Sequence, residues 1–145
     1  MAGIGFLEKP VISGIKKIIF PNGITVFLEE LSDQEDVIFL VGIGTGSRDE
    51  PSELQGINHF LEHIQFRSNC FRTTDEIIED VEDGGACFNA GIDFDSTMVY
   101  VLGSSRYLSR NIRIIYETIT NLEYQEQEIE NDRQEILTEF RSYID

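Results

Sequence analysis

The sequence predicts an α+β fold, a largely antiparallel sheet with helices packed on one side. Three observations predict it. Apolar runs of strand length come in clusters, three early and two in the middle of the chain. Helical patterns come in consecutive pairs after each cluster, where a doubly wound fold would alternate strand and helix more strictly. The first two runs are joined by Pro21-Asn22-Gly23, turn formers that signal an antiparallel hairpin.

The elements follow in order. Ile15 to Phe20 and Ile24 to Leu28 are the hairpin arms, and the polar stretch Leu31 to Asp36 is a loop. Val37 to Ile43 is short and almost wholly apolar, which predicts a strand buried on both faces. A loop from Gly44 to Pro51 leads to a helix from about Ser52 or Glu53 to Phe66. A second helix runs from Thr73 or Thr74 to Glu82, with Thr74 as N-cap and Gly84-Gly85 ending it. Cys87 to Ile92 and Ser96 to Leu102 are two strands around Asp93-Phe94-Asp95. Leu108, Ile112, Ile115 and Ile119 form a helical stripe. A last helix runs from about Gln125 to Tyr143, with Ile129, Ile136, Leu137 and Phe140 as its apolar positions.

With 145 residues and 41% hydrophobic content, the expectation is one domain over 1–145. No apolar run reaches the length of a membrane span. Met1 to Gly14 lacks the basic and apolar regions of a signal peptide, so a cytoplasmic location is expected. A net charge of −16 disfavours nucleic acid and anionic membrane as partners, and favours basic peptide. Cys70 and Cys87, which form no C-x-x-C pair, are expected as free thiols.

Both histidines of the chain stand in one segment, His59-Phe60-Leu61-Glu62-His63. Residues four apart share a helix face, so two imidazoles can grip one metal ion with a carboxylate beside them to handle a proton. On a wheel of about 100° per residue with Ile57 at zero, Phe60, Leu61 and Ile64 fall within about 60° of it, while His59 and His63 fall at about 200° and 240°. The pair therefore points away from the core stripe. H-x-x-E-H is the inverted zinc-peptidase motif.

A catalytic zinc takes three protein ligands and leaves one position open. With no third histidine, the remaining ligand is a carboxylate or a thiol, and composition does not choose among 27 acidic residues. The last helix holds several. Glu130 is one step round from Ile129 at the border of the apolar stripe; Glu128, Glu135 and Glu139 lie on the other side. Gly42-Ile43-Gly44-Thr45-Gly46 follows a strand but lacks the spacing and the immediate helix of a phosphate loop, so nucleotide binding is not expected.

Taken together, Gly46-Ser47-Arg48-Asp49-Glu50-Pro51, the histidine motif, Phe20-Pro21-Asn22-Gly23-Ile24, Gly84-Gly85-Ala86-Cys87-Phe88-Asn89-Ala90, Thr97-Met98-Val99-Tyr100 and the segment Glu130 to Glu139 resemble the pitrilysin/insulinase/mitochondrial-processing-peptidase family of zinc peptidases. The resemblance covers nearly the whole chain, in order. It implies Zn²⁺ as cofactor, His59 and His63 as ligands, and Glu62 as general base on zinc-bound water. It implies Glu130, first glutamate of the segment Glu130 to Glu139, as third ligand, and Glu123, seven residues earlier, as an accessory acid. It also implies that Phe88, Asn89, Ala90 and Gly91 form an edge strand to which peptide substrate adds.

Two departures stand out. Ile64-Gln65-Phe66-Arg67-Ser68-Asn69 replaces the family's usual Met-x-Phe-x-Gly-Thr. Relatives also carry two homologous halves, each longer than this chain, which corresponds to the N-terminal part of one half. The expected function is a zinc metalloendopeptidase acting on peptide or protein substrate, with a homodimer or a partner subunit supplying the missing half. The alternative is an inactive fragment or a non-catalytic, partner-binding assembly domain.

Overall fold

Turn chemistry sets the first sheet. The Phe20 amide donates to the Ile24 carbonyl at 2.8 Å, and the Ile24 amide donates to Asn22 Oδ1 at 3.2 Å. This closes the predicted hairpin between β2 (Ile15–Ile19) and β3 (Thr25–Glu29), with Lys17 opposite Phe27. A further strand, β1 (Phe6–Glu8), pairs antiparallel with β2 and was not legible in the sequence pattern.

The computed structural model describes residues 6–8, 14–120 and 123–144. The opening segment, where no signal-peptide pattern is expected, lies outside the described residues apart from 6–8 and 14. The chain divides into two units, Met1–Gln34 with the sheet just given, and Glu35–Asp145. No described helix is long and apolar enough to cross a membrane.

The second unit holds β4 (Asp36–Ile43), α1 (Ile57–Ile64), α2 (Thr74–Glu82), β5 (Cys87–Ile92), β6 (Thr97–Ser104), α3 (Leu108–Thr120) and α4 (Glu126–Ile144). Its strands lie in the order β4-β6-β5, all antiparallel, with Val41 opposite Val99 and Ala90 opposite Val99 on the other side. The predicted α+β class with antiparallel pairing is what the structure has, in two three-stranded sheets.

The core lies on one sheet face. Val99, Val101 and Ala90 pack against Ile115 of α3, with Phe39, Val41, Phe66 and Phe88 around them. Ile77, Val81 and Ile114 extend this core through Ala86 and Phe88. On β4, half-buried Val37, Phe39 and Val41 alternate with exposed Ile38 and Leu40, so this strand is buried on one face and not on both. Helices cover the inner face only.

Two local expectations shift. Thr73 caps α2, its hydroxyl accepting from the Glu76 amide while Glu76 Oε2 accepts from the Thr73 amide at 2.8 Å. Thr74 is freed to donate to Glu128 at 2.9 Å. On α3 the buried positions are Asn111, Ile114, Ile115 and Thr118, leaving Ile112 and Ile119 exposed. Glu117 is also buried on that helix because Arg72 and Arg113 both donate to its carboxylate.

Candidate metal centre

The entry to α1 is built before the histidines appear. Gly56 adopts a left-handed conformation (φ 89°), which glycine reaches at little cost, and the helix starts at the next residue. Glu50 Oε2 accepts from the Gly56 amide at 2.7 Å and Oε1 from the Asn58 amide at 2.9 Å. Those donors, first that of Gly56 and then that of Asn58, hold the Glu50 carboxyl below the usual carboxylate range. A negative group thus meets the positive end of the helix.

The same loop is tied to the β5–β6 turn. Asn58 Nδ2 donates to the Gly46 carbonyl at 2.9 Å, and the Ser47 and Arg48 amides donate to the Asp93 and Phe94 carbonyls at 3.1 and 3.0 Å. A Cβ on Gly46 would stand 2.7 Å from the Asp95 nitrogen, so only glycine fits this approach. The Gly-Ser-Arg-Asp-Glu stretch is therefore a brace that aims α1.

Ile64 is the buried anchor of α1, while Leu61, assigned to the core stripe, is exposed. His59 and His63 stand together off that face, ring centroids 4.9 Å apart and nearly perpendicular. The His59 side chain is 41% exposed and that of His63 17%. Both Nε2 atoms approach one oxygen of α4: Glu139 Oε2 lies 3.7 Å from His59 and 3.8 Å from His63. One donor atom from each of His59, His63 and Glu139 lies within 4.8 Å of the others. Tetrahedral ligands about 2.1 Å from zinc stand about 3.4 Å apart. Two nitrogens and one carboxylate oxygen at these spacings match a zinc donor set after a small contraction. Glu62 lies on the same turn of α1, between the two histidines.

Glu130, the expected third ligand, does not join them. Its carboxylate accepts from Gln134 Nε2 at 2.8 Å and pairs with Arg133 at 3.0 Å. The reason is helical phase. Glu130 and Glu139 are nine residues apart, about 180° round the helix. α4 turns Asp132 and Ile136 inward and leaves Leu137 (41%) and Phe140 (52%) exposed, so the inward border of its stripe is the side opposite Glu130. Glu123 precedes the first residue of α4 and forms no part of the donor cluster. The residue seven before Glu139 is Asp132. A stripe drawn through Ile129 and Ile136 alone, with Asp132 and Glu139 beside them, marks the face that the structure turns inward.

Asp132 is fully buried, and Arg67 neutralises it. Arg67 Nε donates to both Asp132 oxygens at 3.0 and 3.1 Å, and Nη2 donates to Asp132 Oδ1 at 2.5 Å and to Glu135 at 3.2 Å. The hydrogen bond to Asp132 raises the Arg67 pKa above its ordinary value. One residue on, the Ser68 amide and hydroxyl donate to Glu128 Oε1 at 3.3 and 2.8 Å. His63, Asp132 and Glu135 also bring donor atoms within 4.8 Å of one another. Both Asp132 oxygens already serve Arg67, so the set containing Glu139 is the better metal site.

The predicted substrate strand lies in β5, at one edge of the β4-β6-β5 sheet. Phe88 packs edge-on against Phe66, ring centroids 4.9 Å apart, just beyond the C-terminus of α1. Asn89 is exposed, its Oδ1 accepting from the Ala90 amide at 2.8 Å; Ala90 is buried and Gly91 half-buried.

Comparison with known proteins gives one consistent result. The family model described as insulinase (peptidase family M16) matches residues 25–144. An uncharacterised zinc protease of Rickettsia felis is 34% identical over 118 residues, covering 81% of this chain and 29% of that protein. A protein named "Probable mitochondrial-processing peptidase subunit beta", from Arabidopsis thaliana, is 31% identical over 121 residues, covering 83% of this chain and 23% of that protein. The crystal structure of a protease from Helicobacter pylori superposes with a TM-score of 0.80 at 26% identity, over 96% of this chain and 32% of that one. The chain spans about a third or less of each of these proteins.

Proposed function

The chain belongs to the insulinase family (peptidase family M16), and from that premise we propose that it carries the metal-binding and proton-transfer residues of a zinc-dependent peptidase. The observation that carries this reading is the convergence of His59 and His63 of α1 on Glu139 of α4, with Glu62 on the same turn as the histidines. These three side chains would hold zinc, and the H-x-x-E-H spacing supports the assignment. When bound, zinc would polarise a peptide carbonyl and lower the pKa of water toward neutrality.

The chain's own residues do the rest. The Glu62 carboxylate takes a proton from the attacking water and passes it to the departing amine nitrogen. His59 and His63 would each offer a ring nitrogen to the metal. The β5 edge from Phe88 to Gly91 offers main-chain groups to an extended peptide, which would lie as one more antiparallel strand beside the end of α1. Acidic surface, at a net charge of −16, favours basic substrates.

The test is hydrolysis of a quenched fluorescent peptide library by the zinc-loaded chain beside Glu62→Gln. The reading expects cleavage by wild type and a loss of at least about 100-fold in the variant, with zinc uptake retained. Equal rates would remove Glu62 as the base.

A second reading rests on the relative named as a subunit. The chain would then be an assembly module whose site is completed by a partner. Cleavage that appears only after adding a second polypeptide would support it.

A further inference from the structure

We propose that Arg67 is a positioning residue for the metal centre: its fork on buried Asp132 sets the register of α4 against α1 and so delivers Glu139 to the histidines. The proposal rests on the zinc reading above and names what holds that site in shape.

Contacts between the two segments run in opposite directions along the chain. His59 and His63 meet Glu139, Arg67 meets Glu135 and Asp132, and Ser68 meets Glu128. The α4 partners fall at i, i+4, i+7 and i+11, one stripe of the helix. On the other side, His59 and His63 stand one turn apart on α1, and Arg67 follows in the turn just past its C-terminus. The two segments close as an antiparallel seam with the imidazoles at one end and the guanidinium beside them.

Register along this seam decides the ligand set. A slip of one turn moves a helix by about 5.4 Å, more than the 3.7 Å that separates Glu139 from His59. Among the described residues apolar packing gives α4 little purchase: Ile136 is buried, while Leu137 and Phe140 are exposed. A directional contact is needed, and an arginine fork on a carboxylate supplies one in both distance and angle. Asp132 is seven residues from Glu139, two turns away on nearly the same bearing, so an oriented Asp132 orients Glu139. Glu128 at Ser68 is the second peg.

The test is zinc affinity by competition with a chromophoric chelator, together with the visible spectrum of the cobalt-loaded chain. Arg67→Lys keeps the charge and removes the fork; Asp132→Asn cuts the same contact from the other side without changing shape. Folding of each variant is checked by circular dichroism. The expected result is affinity weakened about 10- to 100-fold with an altered cobalt spectrum, and no further weakening when Arg67→Lys is added to Glu139→Gln. Wild-type affinity in folded Arg67→Lys and Asp132→Asn overturns the proposal, and so does equal weakening with and without Glu139. Absence of His63-dependent zinc uptake by the wild type is a different failure. It removes the metal reading itself, and the proposal with it.

Discussion

Arg67 and Asp132, 65 residues apart in sequence, share a forked contact in which Nε serves both carboxylate oxygens at 3.0 and 3.1 Å and Nη2 donates to Oδ1 as well. That contact is why a charged residue occupies a fully buried position of α4, and it governs which acidic side chain of the helix faces α1. Buried charge is stable only when paired and hydrogen-bonded. The inward face of α4 is accordingly polar where α1 is polar.

Gly46→Ala is expected to destabilise the second unit strongly. A methyl there meets the backbone of residues 93–95 within 2.7 Å, and no flexible side chain can yield. Overpacking of this kind costs about 1–3 kcal/mol or more. Urea denaturation checks it; an unchanged midpoint would mean that the loop does not brace α1 as described.

Glu50→Gln weakens the start of α1. The carboxylate accepts two amide hydrogens, and its depressed pKa means that its contribution is present above the unfolded carboxyl value and lost as pH falls through the lower folded one. Thermal melts of wild type and variant should differ at pH 7 and converge in acid. Parallel curves at every pH would contradict this.

Glu117→Ala removes the buried carboxylate shared by Arg72 and Arg113, leaves Arg72 paired with Asp80, and should cost about 1–3 kcal/mol. Burial pushes the Glu117 carboxyl up, but hydrogen bonds from Arg72 and then Arg113 more than offset it, and the folded pKa is lowered. The contribution therefore holds above the unfolded carboxyl pKa and fades as pH falls through the folded value. Chemical denaturation at pH 7 and at pH about 3 measures both parts. A loss that persists undiminished in acid would show that packing, and not the ion pair, is at work.

What the sequence made legible was local. The His59–His63 pair, Glu62 and the helix under them are set by spacing within a few residues, and the hairpin by three turn formers. Strands β4 to β6 were found from their apolar runs, and the structure has them antiparallel. What was not legible depended on distant partners. The phase of α4 follows from Arg67 and Ser68, which no local pattern shows; the apolar stripe left its acids unresolved, and Glu130 was expected only from the family resemblance. The phase of α3 was missed for a related reason: Asn111 and Glu117 are buried while Ile112 and Ile119 are not. Distant arginines account for both buried acids, Arg72 for Glu117 on α3 and Arg67 for Asp132 on α4.

The most direct measurement is zinc affinity of Glu139→Gln beside Glu130→Gln. The account predicts that the first loses zinc about as severely as His63→Ala, while the second binds like wild type, since Glu130 faces Arg133 and Gln134 instead. Full affinity in Glu139→Gln with loss in Glu130→Gln would contradict the site described here.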